Sequence, residues 1–259
     1  MKTIEFNNVY VYAKSAVAGP KEAQGPLGAY FDKTYTDLYC GEKSFEQAER
    51  IMLYDAFDCL LRKANIKKDE IDFLIGGDLL NQLASSHYFA RDIKTSFIGM
   101  YAACATSSLL IYEASMMIEN NIANKVLCFT SSHNNTAEKQ FRYPNEYGIQ
   151  KKESTTFTVS GAGMLLLSNI KTNIKVKACT IGHIVDWQFK DANDMGKAMA
   201  PAAFETINEH LKNRNLQMND YDVIMTGDLS KLGFAFLCDL FIENNIKIHN
   251  RLFDCGMKI

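Results

Sequence analysis

The chain has 259 residues, 47% of them apolar and 22% charged, with a formal net charge of −2; this is enough sequence for one large globular core or two ordinary ones. The even charge balance excludes a nucleic-acid surface built on basic excess, and no run of like charge marks an interaction tail. Seven cysteines without a CxxC pair exclude the usual zinc spacing and a disulfide framework, and they fit a reducing compartment.

The opening MKTIEFNNVYVYAKS alternates polar and apolar residues, which predicts a strand. It has no continuous apolar core, so it is not a signal peptide. Residues 18–37 hold three glycines and two of the four prolines and are expected to form an extended loop over the body. A helix is predicted from about 44 to 64, with Ser44 as N-cap and Glu46 and Glu49 as acids in its first turns. The apolar run 73–75 then predicts a strand that ends in Gly76-Gly77-Asp78.

Residues 97–118, FIGMYAACATSSLLIYEASMMI, pass from small and apolar residues to apolar residues at helical spacing, so the chain is expected to turn from strand to helix at 102–106. Thr106, Ser107, Ser108, Glu113 and Ser115 argue against a membrane span. Cys104 then stands at a helix N-terminus, where the peptide dipoles and unpaired N–H groups favour a thiolate. The other reading is that Ala102, Ala103, Cys104 and Ala105 are small so that helix and sheet can approach closely.

A strand is predicted over 125–130, followed by the long loop 131–148, SSHNNTAEKQFRYPNEYG. Ser131, Ser132, His133, Asn134, Asn135, Arg142, Tyr143 and Tyr147 could hydrogen-bond and stack on a small aromatic anion, with Arg142 suited to a carboxylate; a solvated surface loop is the alternative. The run 155–168 is predicted as a strand whose glycines, at 161 and 163, let another backbone or a ligand come close. Its spacing is not a dinucleotide fingerprint, and no cofactor is expected.

Residues 44–80 align without a gap on 194–230: Ala48 falls on Ala198, Leu61 on Leu211, Asn65 on Asn215, Asp72 on Asp222, and Gly77-Asp78-Leu79 on Gly227-Asp228-Leu229. The ordered set argues for a duplicated unit, divided here as 1–170 and 171–259. The same shift brings Cys255-Gly256 close to the place of Cys104-Ala105. The second copy would then lack about 60 residues and have an exposed sheet edge, so a C-terminally truncated chain is expected. Alternating strands and helices predict an α/β layered fold with ligands at strand ends. Asp78 and Asp228 are either ligand groups or helix caps. Among the five histidines His133 is the best placed for chemistry, and no metal site is expected.

The segments AGPKEAQGPLGAYFDKTY, GDLLNQ, AACATSS, TSSHNNTAEKQFRYPNEYG, DMGKAMAPAA and TGDLS, in this order, resemble the stage V sporulation protein AD family. The resemblance implies a thiolase-like α/β fold of two similar βαβαβαββ halves in an α/β/α/β/α arrangement, the second half incomplete. It also implies binding of dipicolinic acid, with or without calcium, and support of its uptake into the developing spore. The chain would be a soluble protein at the inner spore membrane, beside membrane proteins of the same operon, with a homodimer as one state. The ligand set expected from the chemistry of these residues and their proximity to the motifs is Cys104, Ser132, His133, Arg142, Tyr143, Asp78 and Asp228. The rival is an acyltransferase of the ketoacyl synthase type with Cys104 as nucleophile. The resemblance places a condensing enzyme's histidine where this chain reads Thr226-Gly227-Asp228, which weighs against that chemistry.

Overall fold

The computed structural model describes residues 1–138, 141 and 152–257. The backbone divides into two compact units. The larger comprises Phe6–Phe141 and Thr158–Lys177; the smaller takes Met1–Glu5, the described part of Arg142–Phe157, and Ala178–Ile259 as far as residue 257.

The opening alternation belongs to two strands rather than one. β1 (Lys2–Glu5) pairs antiparallel with β8 (Ala178–Ile181) in the smaller unit. β2 (Tyr10–Ala18) enters the sheet of the larger unit. Alternation reports which residues share a face and says nothing of which neighbour a strand takes.

The larger unit is a six-stranded sheet in the order β3-β2-β7-β6-β4-β5. Its members are β3 (Lys33–Thr34), β4 (Phe73–Gly77), β5 (Ser96–Gly99), β6 (Lys125–Ser132) and β7 (Gly161–Ser168) besides β2. β4 runs parallel to both β5 and β6, and β7 lies antiparallel between β6 and β2. Central β4 and β6 are nearly continuous apolar runs because helices cover both faces. Residues 155–160 lie outside the strand, which begins only at Gly161.

Helices α2 (Phe45–Ala64) and α3 (Ala84–Ile93) pack on one face through Met52, Leu53, Phe57, Leu60 and Phe89, against Leu74, Leu127, Phe129 and Leu166 of the sheet. Short α1 (Pro20–Ala23) and β3 interrupt the 18–37 segment. α4 (Thr106–Glu119) lies on the opposite face, where the Cys128 thiol donates to the Leu110 carbonyl.

In the smaller unit α5 (Met195–Arg214) and α6 (Ser230–Glu243) build a core of Phe204, Leu211, Leu237, Leu240 and Phe241 beside the parallel pair β9 (Ile224–Thr226) and β10 (Leu252–Asp254). The internal repeat reaches the level of single hydrogen bonds. Ser44 and Asp194 cap α2 and α5 by accepting from Gln47 and Lys197 N–H. Asn65 and Asn215 end those helices in the same left-handed conformation, φ 52° and ψ 46°. Glu70 and Asp220 each accept from the backbone N–H three residues earlier.

Candidate functional site

The turn around Cys104 is made by the end of β5 and the start of α4. Ala103 has φ 47°, a left-handed conformation that costs a residue bearing a Cβ about 1–2 kcal/mol. Two bonds made by buried Thr106 hold it: its hydroxyl accepts from Ala102 N–H (2.9 Å) and donates to the Ala103 carbonyl (2.8 Å). Gly77 lets β4 close up from behind, since a Cβ there would stand 2.1 Å from the Met100 carbonyl oxygen and 3.0 Å from the Thr106 methyl. Cys104 emerges exposed at the head of α4, with Ser107 and Ser108 also exposed on its first turn. This is the sharp turn expected at 102–106.

Asp78, at the end of β4, is 3% exposed. One oxygen accepts from Leu80 N–H (2.9 Å) and the other from the N–H (2.7 Å) and hydroxyl (2.6 Å) of Ser86, so the carboxylate organises the turn into α3. Asp228 repeats the arrangement after β9, taking Ser230 N–H at 2.8 Å on one oxygen and Phe157 N–H at 2.6 Å on the other. Both aspartates are engaged as turn and loop acceptors.

The loop after β6 is fixed from inside. Ser132 donates to the Val159 carbonyl. His133 is 1% exposed, stacks on Phe45 at a centroid distance of 5.0 Å, donates from Nε2 to the Leu38 carbonyl and accepts Asn135 N–H on Nδ1. Burial lowers its pKa, so the ring is neutral and both nitrogens are occupied. Arg142 and Tyr143, the other expected contacts in this loop, and Tyr147 lie outside the described residues.

Sequence reasoning placed Glu49 in the first turns of α2 without noting its burial: it is 1% exposed and accepts from the Ser131 and Thr136 hydroxyls at 2.8 and 2.9 Å. Burial and the charge of Asp78 push its pKa up to about 7. The signal was available, because Glu49 shares the stripe of Ala48, Met52, Leu53 and Ala56.

The comparison of Cys255 with Cys104 also needs correction. Leu252 pairs with Ile224 as Phe97 pairs with Leu74, and Leu74 and Ile224 are equivalent in the repeat. Cys255 therefore takes the place of Met100, and the two N–H groups donate to the equivalent carbonyls of Thr226 and Gly76. The difference arises between β9 and β10, where α6 has 14 residues against 10 for α3.

Comparison with known proteins agrees with this architecture. A family profile described as stage V sporulation protein AD (SpoVAD) matches residues 1–259. Stage V sporulation protein AD of Bacillus subtilis (strain 168) is 44% identical over 251 residues, covering 97% of this chain and 74% of that protein. Among solved structures, OleA of Xanthomonas campestris in a form bound with cerulenin superposes with a TM-score of 0.65 at 12% identity, covering 98% of this chain and 84% of the other. The 3-oxoacyl-[acyl-carrier-protein] synthase III of Aquifex aeolicus VF5 gives 0.60 at 12% identity, covering 95% and 83%. At such identities the likeness establishes the fold, which is thiolase-like.

Proposed function

The chain belongs to the stage V sporulation protein AD family, and from that premise we propose that this sporulation protein is a non-catalytic binder of dipicolinic acid, with or without calcium, that supports uptake of the compound into the developing spore. The observation that carries the non-catalytic part is Asp228. Condensing chemistry needs hydrogen-bond donors aimed at an oxygen that gains charge. Asp228, at the strand end where a condensing enzyme would place its histidine, is an acceptor for two backbone N–H groups. A thiolase-like fold with an acceptor where that chemistry needs a proton donor suits binding rather than condensation.

Among the described residues no helix is long and apolar enough to cross a membrane. In this reading contact with the inner spore membrane runs through the membrane proteins of the same operon. Backbone N–H groups at the head of α4 and the guanidinium of Arg142 are the proposed carboxylate contacts. Calorimetric titration of dipicolinate into the folded chain, with and without calcium, tests the proposal: saturation near one site per chain is expected, and absence of binding in both conditions overturns it. Arg142→Ala should weaken binding by about fivefold or more; an unchanged affinity removes Arg142 from the site.

The exposed thiol on a strained turn favours one other reading, an acyltransferase with Cys104 as acyl acceptor. Incubation with acyl-CoA and peptide mass spectrometry separates the two, since a stable acyl adduct on Cys104 would support the enzyme.

A further inference from the structure

In the larger unit a cavity of about 340 Å³ opens between α4 and the β2–β7–β6 part of the sheet. Leu110, Cys128 and Leu165 give it apolar walls. At its base lies Gly163, where a Cβ would meet no atom within 4 Å; its cross-strand partners Ala16 and Thr130 line the cavity too. The second glycine of the β7 run is thus not needed for close backbone approach, unlike Gly161, whose Cβ would stand 2.7 Å from the Val17 carbonyl oxygen.

Charge at the rim is unequal. Lys63 pairs with Asp32 and also donates to the Lys14 carbonyl, while the second Asp32 oxygen accepts Ala16 N–H at 2.9 Å. That set neutralises one ammonium. Lys14 is exposed and its ammonium has no ion-pair partner among the described residues, which leaves one positive charge in surplus at the mouth. Ser107 and Thr130 add two hydroxyls that bond to no other described residue. Unlike the Cys104 turn, this place combines a recess, an apolar lining and an uncompensated cation.

We propose that the cavity is a binding site for a small monocarboxylate with an apolar body, a single ring or a short chain. The carboxylate sits on Lys14, with Ser107 and Thr130 as further donors, and the apolar body lies over Gly163 between Leu110 and Leu165. One surplus ammonium selects a monoanion. A volume at the low end of the roughly 300–1,000 Å³ usual for small-molecule pockets limits the ligand to about one ring. This site shares the first turn of α4, through Ser107, with the dipicolinate contacts proposed above, but its carboxylate rests on Lys14 and the proposal does not depend on that reading.

Benzoate and its neutral analogue benzamide are the probes, titrated into the full chain and into Lys14→Ala and Gly163→Leu variants whose fold is checked by circular dichroism. Benzoate should saturate near one site per chain. Gly163→Leu, which fills the recess, should abolish binding of both probes. Lys14→Ala, a change at an exposed position that the fold does not need, should weaken benzoate by about tenfold and leave benzamide unaltered. The proposal is overturned if the folded wild-type chain binds no benzoate, or if benzoate binds Lys14→Ala as well as it binds the parent. Dipicolinate titrated in parallel keeps the two ideas apart: its binding unchanged in both variants while benzoate is lost leaves both standing, and its absence with benzoate retained removes only the dipicolinate reading.

Discussion

Glu49 occupies a helix position whose neighbours along the same stripe, Ala48, Met52, Leu53 and Ala56, are hydrocarbon, and two hydroxyls are its compensation. A carboxyl whose pKa is raised to about 7 on folding holds its proton more tightly in the native state than in the unfolded chain. The contribution of Glu49 to stability is therefore fully present in acid, falls as pH rises from the ordinary glutamate range towards 7, and is level above that, with a total loss of a few kcal/mol. Glu49→Gln keeps an acceptor for Ser131 and removes the titration. Urea denaturation should find the variant more stable than the parent at pH 8, with a flatter profile between pH 5 and 7; equal slopes would place the proton elsewhere. His133 presents the opposite case of a titratable group held uncharged. Its pKa is lowered by burial, so NMR titration of its ring protons should place the midpoint below that of an ordinary histidine. The residue types in the loop after β6 were legible as a polar cluster. Their direction was not, because a hydroxyl or imidazole that bonds to a carbonyl far along the chain leaves no periodic trace. Ser132 and His133 turn inward to Val159 and Leu38 for that reason.

Elements were read from local rules and hold where local rules decide. Ser44 caps α2, the strand-to-helix turn falls at 102–106, and α2 ends at Ala64 as expected, with Asn65 as its C-cap. Asparagine at both helix ends accepts a positive φ that alanine resists. Asn65→Ala and Asn215→Ala should each cost about 1 kcal/mol in chemical denaturation, and the glycine variants should cost less or nothing. Alanine variants as stable as the parent would show that the left-handed cap relaxes. The failures share one cause, which is dependence on distant partners. The N-terminal strand divides because its two parts join different sheets, and β7 starts six residues later than expected because only from Gly161 onward do β2 and β6 flank it. The Cys255 register was missed because the stretch between the paired strands is five residues longer in the second copy, four of them in α6.

At the scale of the whole chain, composition allowed two cores, and among the described residues each compact unit has a core of its own. One holds Leu127, Leu166 and Phe129; the other holds Leu237, Leu240 and Phe241. Leu127→Ala and Leu237→Ala, both at fully buried positions, should each cost about 3 kcal/mol. Hydrogen exchange should locate the loss: Leu237→Ala releases amides of α5 and α6, and Leu127→Ala releases those of β4 and β6. A uniform rise across the chain in either variant would show that the cores open as one. The fold class was legible because a duplicated α/β pattern needs only periodicity and repeats. The cavity was not, since its lining comes from six separate stretches of sequence that only the fold brings together. The contact between α5 and α6 carries a different consequence. A Cβ on Gly233 would stand 2.4 Å from the Gly196 carbonyl carbon, and one on Gly196 would stand 1.7 Å from the Leu229 oxygen. Neither glycine can be exchanged first and repaired by the other, because the obstacle at each is main chain. In terms of descent, the two positions have no stepwise route away from glycine, and a lineage that retains this helix pair must inherit both unaltered.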